Sequence, residues 1–107
     1  QADLVFDVRF LPNPYYVAEL RQLTGNDDAV SRYVLSDANA QIFLQKTEEL
    51  LRFLIPLYQA EGKEVLSVGI GCTGGHHRSV AITNELCRRL SDTYKAISIA
   101  HRDIGMA

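Results

Sequence analysis

An apolar segment that runs directly into a glycine-rich loop constrains the fold of this 107-residue chain more than any other feature. The segment from Val65 to Gly71 is short and rich in β-branched residues, which is typical of a strand buried on both faces. The loop that follows, residues 71–79 with the sequence GCTGGHHRS, leads into an amphipathic pattern over Ala81 to Asp92. A strand, a glycine loop and a helix in this order indicate a parallel α/β fold.

Two further segments predict strands. Leu4 to Phe10 alternates apolar residues with Asp7 and Arg9, and a turn rich in proline follows at residues 12–14. Ala96 to Ala100 is a second short apolar segment. The segments between the strands are long enough to form crossover helices. We therefore expect an α/β fold with a small parallel, Rossmann-like sheet and right-handed connections.

Helical spacing is clearest between Asp37 and Gly62, where Asp37 or Asn39 can cap the start and Gly62 is expected to end the helix. The residues expected to face the core of this helix are Phe43, Thr47, Leu50, Leu54 and Leu57. Weaker patterns favour short helices over Tyr16 to Leu23 and Ala29 to Leu35. In the last helix the inward residues are expected to be Ile82, Leu86, Cys87 and Leu90.

The glycine loop has the composition of an anion-binding site. Gly74 and Gly75 let the backbone turn its N–H groups inward, and the positive end of the following helix points at the same place. Thr73 and Ser79 add hydroxyl donors, and Arg78 adds a planar cation that matches phosphate oxygens. The sequence therefore predicts a local phosphate site, although the same glycines would also suit an ordinary strand-to-helix turn.

The spacing from Cys72 to Arg78 also matches C-x5-R-S, the loop in which cysteine-dependent phosphatases hold phosphate while a thiolate attacks it. Three departures speak against such an enzyme. Gly71 stands in place of a histidine, Val80 stands in place of a glycine, and no separate loop offers an obvious aspartate as general acid. The alternative is that Cys72 is a small buried residue without a catalytic role.

Two adjacent histidines, His76 and His77, lie inside the same loop. Adjacent side chains diverge in most backbones, and Cys72 would not complete a shell of four ligands, so we expect neither a metal nor another cofactor. One histidine is expected to contact the bound anion or its sugar, and the other is as well explained as an exposed loop residue.

Residues at the ends of the outer strands are expected to complete this pocket, because parallel strands end at the same edge of a sheet. His101 and Arg102 follow the last strand, and Asp7, Arg9 and Asn13 leave the first one. Asp7 would accept from sugar hydroxyls and Arg9 would share the phosphate. The alternative is that Asp7 and Arg9 pair with each other beside the proline turn.

Composition limits the partners. The length suits one domain, and a formal net charge of -2 offers no general attraction for nucleic acid or anionic lipid. Cys72 and Cys87 are too few for a disulfide framework, and no apolar run approaches the ~18 to 20 residues that span a membrane, so a cytoplasmic location is expected. Because the chain opens with QADLV and no methionine, we expect a domain excised from a longer protein.

Three segments together resemble one family. DVRFLPNP at 7–14, GCTGGHHRSV at 71–80 and HRDI at 101–104 are similar to the C-terminal domain of the RapZ/YvcJ proteins, known as RNase adapter or nucleotide-binding proteins. The resemblance implies a fold similar to a phosphofructokinase subdomain. It also implies an N-terminal P-loop domain that binds and hydrolyses ATP and GTP. This chain has no G-x-x-x-x-G-K-S/T motif, so no nucleotide hydrolysis is expected of it.

The resemblance further implies that the domain is not itself an enzyme. It implies a regulatory domain that senses glucosamine 6-phosphate, forms homo-oligomers and acts on a small RNA or a regulatory protein. By motif match, the sugar-phosphate pocket would be lined by Asp7, Arg9, Asn13, Thr73, Gly74, Gly75, His77 and Arg78.

The resemblance supports RNA binding by this chain less well than it supports sugar-phosphate binding. Family members that bind RNA end in a strongly basic tail, whereas this chain ends in HRDIGMA. Its basic grouping consists of Arg88, Arg89 and Lys95, with Arg102 nearby in sequence. Such a patch would neutralise few phosphates and bind RNA weakly, or it would simply be the solvated face of the last helix.

Overall fold

A computed structural model describes residues 2–103 of the chain. Within this range three strands, β1 (Leu4–Asp7), β2 (Leu66–Cys72) and β3 (Ile97–Asp103), form one sheet in the order β1-β2-β3. Both neighbouring pairs are parallel. The helices are α1 (Asp28–Leu35), α2 (Ala38–Ala60) and α3 (Arg78–Arg89), with short 3-10 turns at Pro14–Tyr16 and Ser91–Thr93. The predicted small parallel α/β sheet is confirmed.

The central strand β2 has two different faces. Leu66, Val68, Ile70 and Cys72 belong to the hydrophobic core that the helices complete, and each is almost fully buried. The alternate residues of β2, which point to the opposite face, are Ser67, Gly69 and Gly71. A strand with apolar residues on one face and only small residues on the other accounts for the short apolar run in the sequence.

Helix α2 begins at the predicted cap, but its predicted core face is only partly confirmed, because Thr47 is buried and Phe43 and Leu54 pack against the core. The Asp37 carboxylate accepts hydrogen bonds from the backbone N–H groups of Asn39 at 3.0 Å and Ala40 at 3.2 Å. The buried residues are Ala40, Leu44, Thr47, Leu51 and Ile55. The prediction that Leu50 and Leu57 face the core is wrong, because α2 carries two overlapping apolar stripes and spacing alone does not select the one that packs.

Several other element boundaries differ from the sequence prediction. β1 ends at Asp7 rather than Phe10, and no regular helix forms over Tyr16 to Leu23, where successive turns replace it. Helix α3 begins at Arg78, three residues earlier than predicted, and its Cys87 is exposed rather than inward. β3 continues to Asp103, which brings three more residues to the edge of the sheet beside the glycine loop.

Candidate functional site

The glycine loop lies at the edge where all three strands end. Asp7 of β1 pairs with Gly71, and on the other side Gly71 pairs with Arg102 and Cys72 with Asp103. Gly74 and Gly75 adopt left-handed φ angles of 83° and 67°, so the chain reverses there and enters α3. This is the position at which open α/β sheets bind their ligands.

Backbone donors of the loop are only partly satisfied. The N–H of Gly74 donates to Oδ1 of Asp103 at 3.1 Å, and the N–H of Ser79 donates to the sulfur of Cys72 at 3.3 Å. Among residues 2–103, no acceptor pairs with the N–H groups of Gly75 and His76. These two donors, and the exposed hydroxyl of Thr73, are available to an anion or to water.

A cleft of about 320 Å³ opens between the glycine loop and the segment that follows β1. Its walls are formed by Asn13, Tyr15, Tyr16, Thr73, Gly74, His76 and His77. Asn13 shapes one wall, because its side-chain oxygen accepts from the backbone N–H of Tyr15 at 3.0 Å and begins the 3-10 turn that carries both tyrosines. The sequence hypothesis placed Asn13 near the loop, and the two tyrosines add an aromatic wall to the cleft.

The two histidines of the loop have different surroundings. His76 is exposed, and its carbonyl oxygen accepts from the N–H of Gly25 at 2.8 Å. Only glycine fits at position 25, because a Cβ there would lie 2.5 Å from the backbone nitrogen of Ala81. His77 is only 8% exposed, and its Nε2 has no hydrogen-bond partner among residues 2–103. Buried polar atoms without a partner are uncommon, and Arg78 Nε and Thr83 Oγ1 share this state within residues 2–103.

The guanidinium of Arg78 is engaged by the protein itself. Its Nη1 donates to the carbonyl oxygens of Arg9 at 2.8 Å and Leu11 at 3.3 Å, and the residue is 5% exposed. Arg78 therefore ties the first turn of α3 to the segment after β1. These contacts use Nη1, whereas the buried Nε of Arg78 has no hydrogen-bond partner among residues 2–103, and the hypothesis that the guanidinium holds a bound phosphate stays a prediction.

Asp7 and Arg9 form the pair that was the alternative hypothesis for them. The Nε of Arg9 lies 3.1 and 3.0 Å from the two carboxylate oxygens of Asp7, and Nη2 lies 2.7 Å from Oδ2. These side-chain hydrogen bonds, with one from the backbone N–H of Arg9, hold the pKa of the Asp7 carboxyl below its usual range. Both residues stay exposed at the sheet edge and do not line this cleft.

Cys72 is buried beneath the loop rather than presented to the cleft. It is 1% exposed, and its sulfur contacts the hydroxyl of Ser79 at 3.2 Å as well as the Ser79 N–H. A phosphate ester in the cleft therefore has no path to the sulfur. The geometry favours the structural alternative for Cys72 and Ser79, in which both secure the junction between β2 and α3.

The end of β3 contributes a residue that the sequence analysis missed. His101 is exposed, and the guanidinium of Arg102 lies against Gly69, where a Cβ would come within 2.9 Å of the Arg102 Nε. Asp103 instead contacts the loop through Gly74. Asp103 was missed because the predicted strand ended at Ala100. β3 in fact continues to Asp103, which pairs with Cys72 and so lies beside the loop.

The basic residues of α3 are largely compensated by acids. Arg88 donates to both oxygens of Glu85, and Arg89 donates to Glu85 at 2.8 Å and to Gln41 at 3.0 Å. The hydrogen bond from Arg88 is the main reason that the pKa of Glu85 lies below its usual range. Lys95 lies over the ring of Tyr94 at 5.9 Å. Little unpaired positive charge is left at Arg88 and Arg89 for RNA phosphates, and RNA binding stays a prediction.

Another cleft lies away from the glycine loop. It has about 500 Å³ and is lined by Ile55, Gln59 and residues 92–96, near the start of β3. Its acidic residue, Asp92, is paired with Arg52 at 3.2 Å. No backbone loop directs N–H groups into it, so it is a weaker candidate than the cleft beside the glycine loop.

Residues 2–103 contain neither a cluster of metal ligands nor a helix that could span a membrane. No group of three or more histidine, cysteine, aspartate or glutamate side chains is placed to hold a metal ion. None of the helices in this range combines the length and apolar character that crossing a bilayer requires.

Comparison with known proteins identifies the family. The family model of the RapZ C-terminal domain matches residues 1–105. A nucleotide-binding protein of Heliobacterium modesticaldum is 57% identical over 103 residues, covering 96% of this chain and 34% of that protein. One from Caldanaerobacter subterraneus is 55% identical over 105 residues, covering 98% of this chain and 37% of the relative. This chain thus spans about a third of the length of these curated relatives, and it belongs to the RapZ C-terminal domain family.

Proposed function

We propose that this domain is a non-enzymatic regulatory module that binds a phosphorylated amino sugar, such as glucosamine 6-phosphate, in the cleft beside the glycine loop. The observation that carries the proposal is His77, a residue that lines the cleft and whose buried Nε2 has no partner among residues 2–103. In its N–H form this nitrogen is a donor held away from bulk water, where a hydrogen bond to an anionic oxygen is strong.

The phosphate end of the ligand is assigned to the loop. The N–H groups of Gly75 and His76 are unpaired within the described chain, and the hydroxyl of Thr73 is exposed beside them. The positive end of the α3 dipole adds to these donors. Because the net charge of the chain is negative, only such a local arrangement attracts an anion.

The sugar end is assigned to the wall formed by Asn13, Tyr15 and Tyr16. An amide and two phenol groups offer donors and acceptors for sugar hydroxyls, and the tyrosine rings give apolar contact to the sugar face. The cleft volume of about 320 Å³ lies at the lower end of the range for small-molecule sites, about 300 to 1,000 Å³, which suits a monosaccharide.

Binding without turnover follows from the position of Cys72. With the thiol buried below the loop, no side-chain nucleophile faces a phosphate in the cleft. A ligand bound this way acts by favouring the conformation for which it has the higher affinity. The relatives bear the name nucleotide-binding protein, but this chain covers only a third of them, so we assign nucleotide binding to the remainder of those proteins.

Titration calorimetry of this chain with glucosamine 6-phosphate tests the proposal. We expect saturable binding that His77→Phe weakens by about tenfold or more, the usual effect of losing a charge-assisted hydrogen bond. His101→Gln is the matched control, since His101 is exposed on β3 and lines neither cleft beside the loop.

Amide chemical shifts provide a second measurement. Glucosamine 6-phosphate is expected to shift the N–H resonances of residues 73–77 far more than those of α2, and ATP and GTP are expected to bind no more tightly than inorganic phosphate. The proposal fails if neither the sugar phosphate nor inorganic phosphate binds. It also fails if the shifts arise away from the loop.

A further inference from the structure

We propose that the ligand site continues past Tyr15 into a second cleft, where Arg21 holds a second acidic group of the ligand. The inference rests on the proposed function, because it assumes that the first phosphate occupies the glycine loop. It names a narrower ligand class, a phosphorylated sugar that carries another phosphate or a carboxylate on the far side of its ring.

The first argument is continuity. A cleft of about 360 Å³ lies beside the one already described and is lined by Tyr15, Arg21, Gln22, Leu23, Thr24, His76 and His77. Three of these residues, Tyr15, His76 and His77, also line the first cleft. A ligand that leaves the glycine loop along this shared wall therefore enters the second cleft, and a monosaccharide phosphate alone would leave that space to water.

The second argument is the orientation of Arg21. Its Nε donates to the carbonyl oxygen of Tyr15 at 2.8 Å, and its guanidinium carbon lies 5.0 Å from the centroid of the Tyr15 ring. These two contacts hold the planar group in place before any ligand arrives, so binding costs less conformational entropy.

The third argument is charge. Within residues 2–103, no carboxylate forms an ion pair with Arg21, although five other cationic side chains in that range have a carboxylate partner: Arg9, Arg52, Lys63, Arg88 and Arg89. The nearest acid along the chain, Glu19, forms no ion pair among residues 2–103, and Asp27 already accepts from the N–H of Thr24 at 2.8 Å. A fixed guanidinium without an acidic partner, at the mouth of a cleft, matches a phosphate or a carboxylate rather than a neutral group.

The experiment compares two ligands that differ only in the second phosphate, glucosamine 6-phosphate and glucosamine 1,6-bisphosphate. Calorimetry is carried out on the unmodified chain, on Arg21→Gln and on Arg32→Gln. Arg32 is the matched control because it is an exposed arginine of α1 that lines neither cleft. We expect the bisphosphate to bind about tenfold more tightly than the monophosphate, as one additional charge-assisted contact provides.

The test of the second subsite is the ratio of the affinity for the bisphosphate to the affinity for the monophosphate. It is expected to fall below about twofold in Arg21→Gln and to stay near tenfold in Arg32→Gln. Equal affinities of the unmodified chain for the two ligands, or a ratio that survives in Arg21→Gln, would overturn the second subsite and leave the proposed function standing. Failure of both ligands to bind would instead overturn the proposed function. Thermal unfolding of each variant confirms that the folded state is being compared.

Discussion

The Nη1 atom of Arg78 lies 2.8 Å from the carbonyl oxygen of Arg9, across a sequence separation of 69 residues. This contact joins the first residue of α3 to the segment that leads to Asn13 and the two tyrosines. The position of the aromatic wall relative to the glycine loop therefore depends on a buried side chain that does not itself line the cleft.

Replacing Arg78 with alanine is expected to lower the free energy of unfolding by about 2 to 3 kcal/mol, because two backbone carbonyls lose a charged donor. Arg78→Lys keeps one charged donor and should cost less. Urea denaturation followed by circular dichroism measures both changes. A loss of ligand affinity in Arg78→Ala without any loss of stability would show instead that the guanidinium binds the ligand directly.

Gly75 is expected to tolerate alanine less well than Gly62. Both have left-handed φ angles, 67° and 92°, and both variants should cost about 1 kcal/mol of backbone strain. A Cβ at Gly75 would also lie 3.1 Å from the backbone nitrogen of Asp103, whereas one at Gly62 meets nothing within 4 Å. The melting temperatures of the two variants measure the difference: the loss at Gly62 reports backbone strain alone, and the additional loss at Gly75 reports the steric contact with Asp103. Equal losses of stability would contradict the close packing of the loop on β3.

Asp103 is expected to compete with a bound phosphate, because its carboxylate occupies the N–H of Gly74. Asp103→Asn removes this negative charge from the loop and should tighten the binding of inorganic phosphate by a few fold. Asp28→Asn is a suitable control, since Asp28 lies at the start of α1 and lines neither cleft beside the loop. Weaker phosphate binding in Asp103→Asn would mean that this carboxylate supports the loop rather than competes for it.

The chain is expected to show no phosphatase activity attributable to Cys72. With p-nitrophenyl phosphate as substrate, any hydrolysis should match the buffer blank and should be unchanged in Cys72→Ser. The same substitution is expected to lower the melting temperature, since it alters the buried contacts of the sulfur with Ser79. Turnover that disappears in Cys72→Ser would reverse this assignment.

Stability should depend on the ionisation of Glu85. Hydrogen bonds from Arg88, and secondarily from Arg89, lower its pKa in the folded state. A lowered folded pKa means that the pair stabilises the fold above the ordinary glutamate pKa, about 4.3, and that this contribution is lost as the pH falls through the folded value. Glu85→Gln should therefore destabilise the chain at pH 7 by about 1 kcal/mol and much less at pH 3. Urea titrations at both pH values, with Glu49→Gln as control, measure the difference.

Local sequence signals predicted much of the fold. The cap at Asp37 and the helical spacing behind it located α2, and the β-branched run before the glycine loop located β2. The buried face of α2 could not be predicted in the same way, since Leu50 and Leu51 are equally apolar and only tertiary packing distinguishes them. The same limit applies to Cys87, which has apolar neighbours in sequence but lies exposed.

The sequence predicted where the candidate site lies, but not which partner each of its side chains contacts. Parallel pairing is enough to bring the ends of β1, β2 and β3 to one edge. The partner of each side chain is decided by distances that a sequence does not contain. Arg78 donates to a carbonyl oxygen of a segment that is distant in sequence. Arg21 was not predicted as a site residue, because no motif around it in the sequence indicates that it lines a cleft.

The contact between Asp103 and Gly74 has a consequence for selectivity. Because the Asp103 carboxylate already accepts from the N–H of Gly74, an anionic ligand has to replace that carboxylate rather than bind to a free N–H group. Under the proposed function, we expect chloride to gain little by such an exchange, whereas a phosphate that also contacts His77 is expected to displace the Asp103 carboxylate. The carboxylate is then expected to keep simple salt ions from occupying the loop.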